Sequence, residues 1–155
     1  MKATRIYLAI VIALLGVIAV MAYKFVVAGS TAEGDDGRVA LLLAPAERVL
    51  VLGEMRAFVA GLQAITDALA REDMKAVAGA ARGMGMPRNH DVPLALMAKL
   101  PLDFKTLAFE VHRGFDAMAM DAEAVGDPKH ALGQLSAILG NCVACHARYQ
   151  VGPAP

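Results

Sequence analysis

Apolar positions are unevenly spread along this chain. Residues Ile6 to Tyr23 form an unbroken apolar run, preceded by Lys2 and Arg5 and followed by Lys24. Eighteen such residues rise about 27 Å as a helix, close to the hydrocarbon thickness of a bilayer. Gly29 to Gly37 (GSTAEGDDG) is polar and rich in glycine. It predicts a flexible linker over residues 29–38. From Val39 to Ala70 the period changes: Met55, Phe58, Val59, Leu62, Ile65, Thr66 and Leu69 fall three or four apart. That spacing predicts a helix with Pro45 in its first turn. Arg71-Glu72-Asp73 makes a turn, and Asp73 is a natural N-cap for a second helix to about Arg82, with Met74, Val77, Ala78 and Ala81 inward. Gly83 and Gly85 end it.

Pro87, Pro93 and Pro101 punctuate a crossover from Met86 to Asp103, with room for a short helix over 93–99. A third helix follows to about Val125, with Leu107, Val111, Phe115, Met118 and Ala122 inward. Gly126-Asp127-Pro128 stops one helix and starts the next. The fourth runs to about Tyr149 with Leu132, Leu135, Ile138, Leu139, Cys142 and His146 on one face. Short first and third turns make neighbours antiparallel. The expected fold is all-α: a four-helix bundle over residues 39–155 with one long connection, preceded by an apolar helix.

Basic residues before the apolar run, with no acid nearby, are an export signature that leaves the N-terminus inside. Signal peptidase could cut near Ala22 or Ala28, where small residues sit. Against cleavage, no clean Ala-x-Ala site is present and the run is longer than a usual signal core. Residues 1–28 are therefore a signal peptide or, preferred here, a signal anchor. Either way the remainder leaves the cytoplasm.

Cys142-Val143-Ala144-Cys145-His146 contains both cysteines of the chain. Two thiols three apart followed at once by an imidazole is the attachment pattern of a c-type haem. The rival readings are weaker. A redox dithiol opens a helix after a strand in a βαβ setting, and no such pattern is present. A zinc site needs a second ligand pair, which the sequence lacks. A disulfide here would close a very small loop. Haem attachment to this motif takes place outside the bacterial cytoplasm, in agreement with the export signature.

Composition refines this picture only slightly. The chain of 155 residues is 57% hydrophobic and 5% aromatic, which favours helix. Its formal net charge is zero. Without Lys2, Arg5 and Lys24, 12 basic residues face 15 acidic ones, a net of −3. No basic nucleic-acid face is present. Glu110, Asp116 and Asp121 read as helix-surface charges, and nothing suggests hydrolase or transferase chemistry, so no enzyme activity is expected.

An α-only chain whose last helix carries Cys142, Cys145, His146 and Tyr149 resembles the cytochrome c′ family, the class II cytochromes c, over about residues 40–150. In class I cytochromes the motif lies early and a methionine loop follows; here nine residues follow His146, none of them methionine. The resemblance implies haem c held by Cys142 and Cys145, with His146 as proximal iron ligand. It leaves the distal position open: vacant in members that bind nitric oxide or carbon monoxide, filled by a first-helix methionine in members that carry electrons. The anchor and linker depart from the family pattern.

Helix rise bears on the distal group. His146 lies 18 residues below Pro128, about 27 Å, and Met55 lies 15 residues below Ala70, about 22 Å. Met55 is therefore the candidate distal ligand, although a methionine on an apolar stripe is more often core filler. His112, about one turn higher on the third helix, is its rival. His130 is too far from His146, His90 lies in the crossover, and Met84, Met86, Met118 and Met120 are poorly placed. Arg56, Lys99 and Arg148 are candidates to pair with haem propionates. Phe58, Phe104 and Tyr149 are expected to pack on the haem.

The expected function is one-electron transfer by a periplasmic or inner-membrane-tethered cytochrome with redox protein partners. The alternatives are a five-coordinate protein that binds nitric oxide or carbon monoxide, and a haem subunit of a membrane redox complex. Leu50 and Val51, if exposed, would allow a homodimer.

Overall fold

The computed structural model describes residues 2–86 and 92–153; His90 and Pro87 of the crossover lie outside the described residues. The chain is mostly helical: α1 (Lys2–Ala22), α2 (Pro45–Ala70), α3 (Met74–Arg82), α4 (Leu94–Met97), α5 (Leu102–Ala124) and α6 (Pro128–Arg148). α1 runs on into a wider π-type helix, Tyr23–Ala28. Three short strands, β1 (Thr31–Glu33), β2 (Val39–Leu43) and β3 (Tyr149–Pro153), form one sheet in the order β1-β2-β3.

The helix starts follow from local chemistry. Pro45 occupies the first position of α2, and the Glu47 carboxylate accepts the Ala44 N–H at 2.7 Å. Asp73 accepts the Ala76 N–H at 3.0 Å and Asp127 the Lys129 N–H at 2.8 Å, satisfying donors that a helix start otherwise leaves open. Gly126, at φ 68°, turns α5 into α6.

Packing runs from α2 to α3, from α3 to α5 and from α5 to α6. The larger core cluster takes Ile65 and Ala68 from α2, Val77 and Ala81 from α3, Phe115 and Met118 from α5, and Leu135 and Ile138 from α6. α5 and α6 approach closely at Gly114, where a Cβ would stand 2.7 Å from Ile138 Cγ1. A second cluster, at the other end, joins Leu41 and Leu43 of β2 to Leu96, Leu100 and Tyr149.

Three expectations are corrected. Val39–Leu43 is a strand, not the first turn of a helix. The residue before a proline is biased to extended backbone, so Pro45 separates this apolar run from α2. β2 then pairs in parallel with β3, Val39 opposite Tyr149. Residues 29–38 are not a flexible linker. β1 pairs antiparallel with β2, Thr31 opposite Leu41, and the Gly34 N–H donates to the Arg38 carbonyl at 2.8 Å. Val59, Leu132 and Leu139, expected inward, are exposed, because they lie on flanks of α2 and α6 beyond the packed core.

Two helical segments are long and apolar enough to cross a membrane: Thr4–Ala28, with mean hydropathy 2.7, and Pro45–Ala70, with 1.4. The first has no buried part, a character that a signal sequence shares. The second belongs to the helical body, since Ile65 and Ala68 enter its core and Phe58 stacks on Phe115 of α5.

Candidate haem site

The last turns of α6 carry Cys142, Cys145 and His146, three and four positions apart and hence on one side of the helix. Both cysteines are free, half-buried thiols. Cys142 packs against the larger cluster and Cys145 against the second, so the motif lies on the seam between them. Burial pushes both thiols up from their ordinary value, and for Cys145 the Cys142 charge adds to this. Both are therefore protonated at neutral pH. His146 is exposed, and its imidazole has no hydrogen-bond partner among the described residues.

The backbone beneath the motif is held from a distance in sequence. Arg38 donates to the His146 carbonyl at 3.2 Å and to the Tyr149 carbonyl at 3.4 Å. Asp36 holds the Arg38 guanidinium at 2.6 Å. These bonds satisfy carbonyls that the end of α6 would otherwise leave open. Beyond them Tyr149 is buried, with its ring edge-to-face against Phe104 at 5.3 Å. Arg148 pairs with Asp103 at 2.9 Å and lies over the Tyr149 ring. No local sequence signal marks the role of Arg38 at the motif, because the His146 and Tyr149 carbonyls lie more than 100 residues away and become its neighbours only through the β2–β3 pairing.

On α2, Val51 packs on the cluster that takes Cys145, and Phe58 on the cluster that takes Cys142. Met55 lies between those two levels. It is half-buried and, with Leu52, Arg56 and Val59, lines an open apolar depression of about 310 Å³ whose walls come from α2 alone. This flank of α2 is turned away from α3, which it meets through Gly61 and Met84. α6 likewise meets α5 through Ile138, His130 and Gln134. Its opposite flank presents Leu132, Leu139 and Val143 beside His146, and Val143 is 69% exposed. Each of the two helices thus carries an exposed apolar flank, that of α6 beside the motif. Exposed apolar patches rimmed by polar groups mark ligand or partner surfaces.

His112 stands differently. It is buried at 3% exposure, its Nδ1–H donates to the Met84 carbonyl at 2.7 Å, and its ring lies 5.2 Å from that of Phe58. It is packed into the core rather than turned to the depression. His130 bonds Asp121 at 3.0 Å near the start of α6, far from the motif. Met84 and Met118 are core residues, Met120 is exposed, and the Met86 N–H donates to Asp116. Of the candidate propionate partners, Lys99 pairs with Glu47 at 2.7 Å and Arg148 with Asp103, while Arg56 lies exposed at the depression. Leu50 is exposed, but Val51 is half-buried in the second cluster, which removes half of the expected dimer patch.

Among the described residues no group of three or more His, Cys, Asp or Glu side chains forms a metal-ion cage. The donor set at the end of α6 is two thiols and one imidazole, which suits two thioether bonds and one axial nitrogen. Met55 offers a thioether sulfur on α2. The two thiols and the imidazole therefore fit the donor set of a c-type haem. Comparisons with protein-family models, curated proteins and solved structures return no match for this chain.

Proposed function

We propose that this chain is a membrane-attached c-type cytochrome that carries single electrons on the outer face of a bacterial inner membrane, built as a four-helix bundle of the cytochrome c′ kind. The observation that carries this reading is the pair of free, half-buried thiols of Cys142 and Cys145 beside the exposed His146, bordered by the apolar flank of α6. Covalently attached haem supplies a reversible one-electron iron couple. Cys142 and Cys145 would hold the group through two thioethers, each thiol contributing both its sulfur and its proton so that no atom is lost. His146, free of a competing hydrogen bond among the described residues, would offer its imidazole as the proximal ligand. Arg38 and the β2–β3 pairing hold the backbone that presents it. Met55 would offer a thioether sulfur as the second ligand, and the exposed Leu52, Val59, Leu139 and Val143 would supply apolar cover. Ligands on two helices packed on a common core keep their places as charge changes, so electron exchange needs little rearrangement.

The test is the purified protein from a host that attaches haem c. Haem stain is expected to stay with the chain on a denaturing gel. The visible and resonance-Raman spectra are expected to be low-spin, with a sulfur–iron charge-transfer band in the oxidised form. Absence of covalent haem overturns the reading. A high-spin ferric form that binds carbon monoxide at once replaces electron carriage with gas binding.

A further inference from the structure

We infer that residues 23–43 form a rigid strut that seats the Cys142–His146 end of the molecule against the lipid headgroups, with Leu94 and Leu102 entering the bilayer surface beside Phe25, Val26 and Val27. The strut is built from contacts that a tether lacks. Gly29 sits at φ 68° against the turn before α5, where a Cβ would fall 2.5 Å from the Lys99 carbonyl oxygen. The Ser30 N–H donates to the same oxygen at 2.7 Å, and Lys105 Nζ donates to the Val26 carbonyl at 2.8 Å. Two residues later the chain enters β1, which is paired to β2, which is paired to β3. A free linker of about ten residues would wander by roughly 17 Å; here nearly every residue from 26 to 43 lies in a strand, a turn or a docked contact.

These contacts fix which end faces the membrane. The turn that holds Gly29 and Ser30 leads directly into the first turn of α5, where Asp103 pairs with Arg148 and Phe104 packs on Tyr149. The anchor therefore joins the body at the motif end. The turns at Arg71–Asp73 and Val125–Asp127 lie at the other end, about 27 Å away along α6.

Lipid is the occupant that fits the exposed apolar surface at this end. Leu94 is 85% exposed and Leu102 43%, both on the segment that receives the anchor. Phe25, Val26 and Val27 are also exposed and continue the apolar surface of α1 without a break. Lys24 and Lys105 flank them, a placement that suits a headgroup layer. The electron partner is then a protein of the same membrane whose own redox centre lies at the bilayer surface, rather than a carrier approaching from the aqueous side. This inference rests on α1 being an inserted anchor, not on which group faces His146.

The chain has no tryptophan, so single tryptophans report depth in the full-length holoprotein. Leu94→Trp, Leu102→Trp and Val125→Trp are reconstituted in nanodiscs with plain or interface-brominated phosphatidylcholine. The brominated-to-plain ratio cancels quenching within the protein. Several-fold stronger quenching is expected at positions 94 and 102 than at 125. Inserting about ten Gly/Ser residues between Ala28 and Gly29 is expected to abolish that difference. Equal quenching at all three positions, or quenching at 102 that survives the insertion, overturns the strut. The mass of the mature protein separates the two readings: loss of residues 1–28 removes the anchor, and the strut with it, while covalent haem would remain.

Discussion

Met55 and His112 pose the sharpest question at the scale of single residues, and their surroundings treat them differently. His112 is enclosed by Phe58 and its Nδ1 is committed to the Met84 carbonyl. Met55 instead lines an open depression on α2. Met55→Ala is therefore expected to turn a low-spin spectrum high-spin without a large loss of stability. His112→Leu is expected to leave the spectrum unchanged and to cost about 1–3 kcal/mol in denaturant unfolding, since it strands a buried carbonyl. The opposite pattern, a spectrum indifferent to Met55 and sensitive to His112, transfers the distal role to His112.

Among the elements, the start of α2 couples the helical body to the sheet end. Glu47 accepts from the Ala44 backbone and from Lys99, and Lys99 holds its carboxyl below the ordinary range. A carboxyl depressed by folding stabilises the fold above its unfolded value and loses that contribution as pH falls through the folded one. Glu47→Gln is expected to lower the melting temperature by a constant amount above about pH 5, worth up to about 1 kcal/mol. The gap to the native chain closes in acid; a gap that persists at low pH refutes the charge-based account. The helices themselves were legible in the sequence because their ends carry short-range chemistry: Pro45, Asp73 and the Gly126-Asp127-Pro128 stop are all found where expected. The sheet was not legible. Val39-Ala40-Leu41-Leu42-Leu43 is a uniformly apolar run with no period to separate strand from helix, and its partner β3 lies about 110 residues away. The same long-range pairing hid Arg38. For the candidate site, the grouping of Cys142, Cys145 and His146 on one side of α6 was readable from spacing, but the core burial of His112 depends on three segments at once.

At the scale of the whole molecule, the motif joins two clusters that otherwise meet only along a seam. Cys142 belongs to the side built by α2, α3, α5 and α6, and Cys145 to the side built by the sheet and the α4–α5 turn. Leu52 and Val59 on α2, and Leu139 and Val143 on α6, are exposed. Covering them with a covalently held macrocycle removes apolar surface from water, at about 1.5–3 kcal/mol for each large side chain fully covered. The double variant Cys142→Ser, Cys145→Ser should therefore keep its helical circular dichroism, because the α2–α3–α5–α6 core is independent of the thiols. It should melt well below the haem-bearing protein and bind more of a hydrophobic dye. Each single serine variant retains one point of attachment and should fall between. If the double variant melts with the native chain and binds no more dye, the exposed flanks have another purpose, and the haem-binding assignment loses its main structural support.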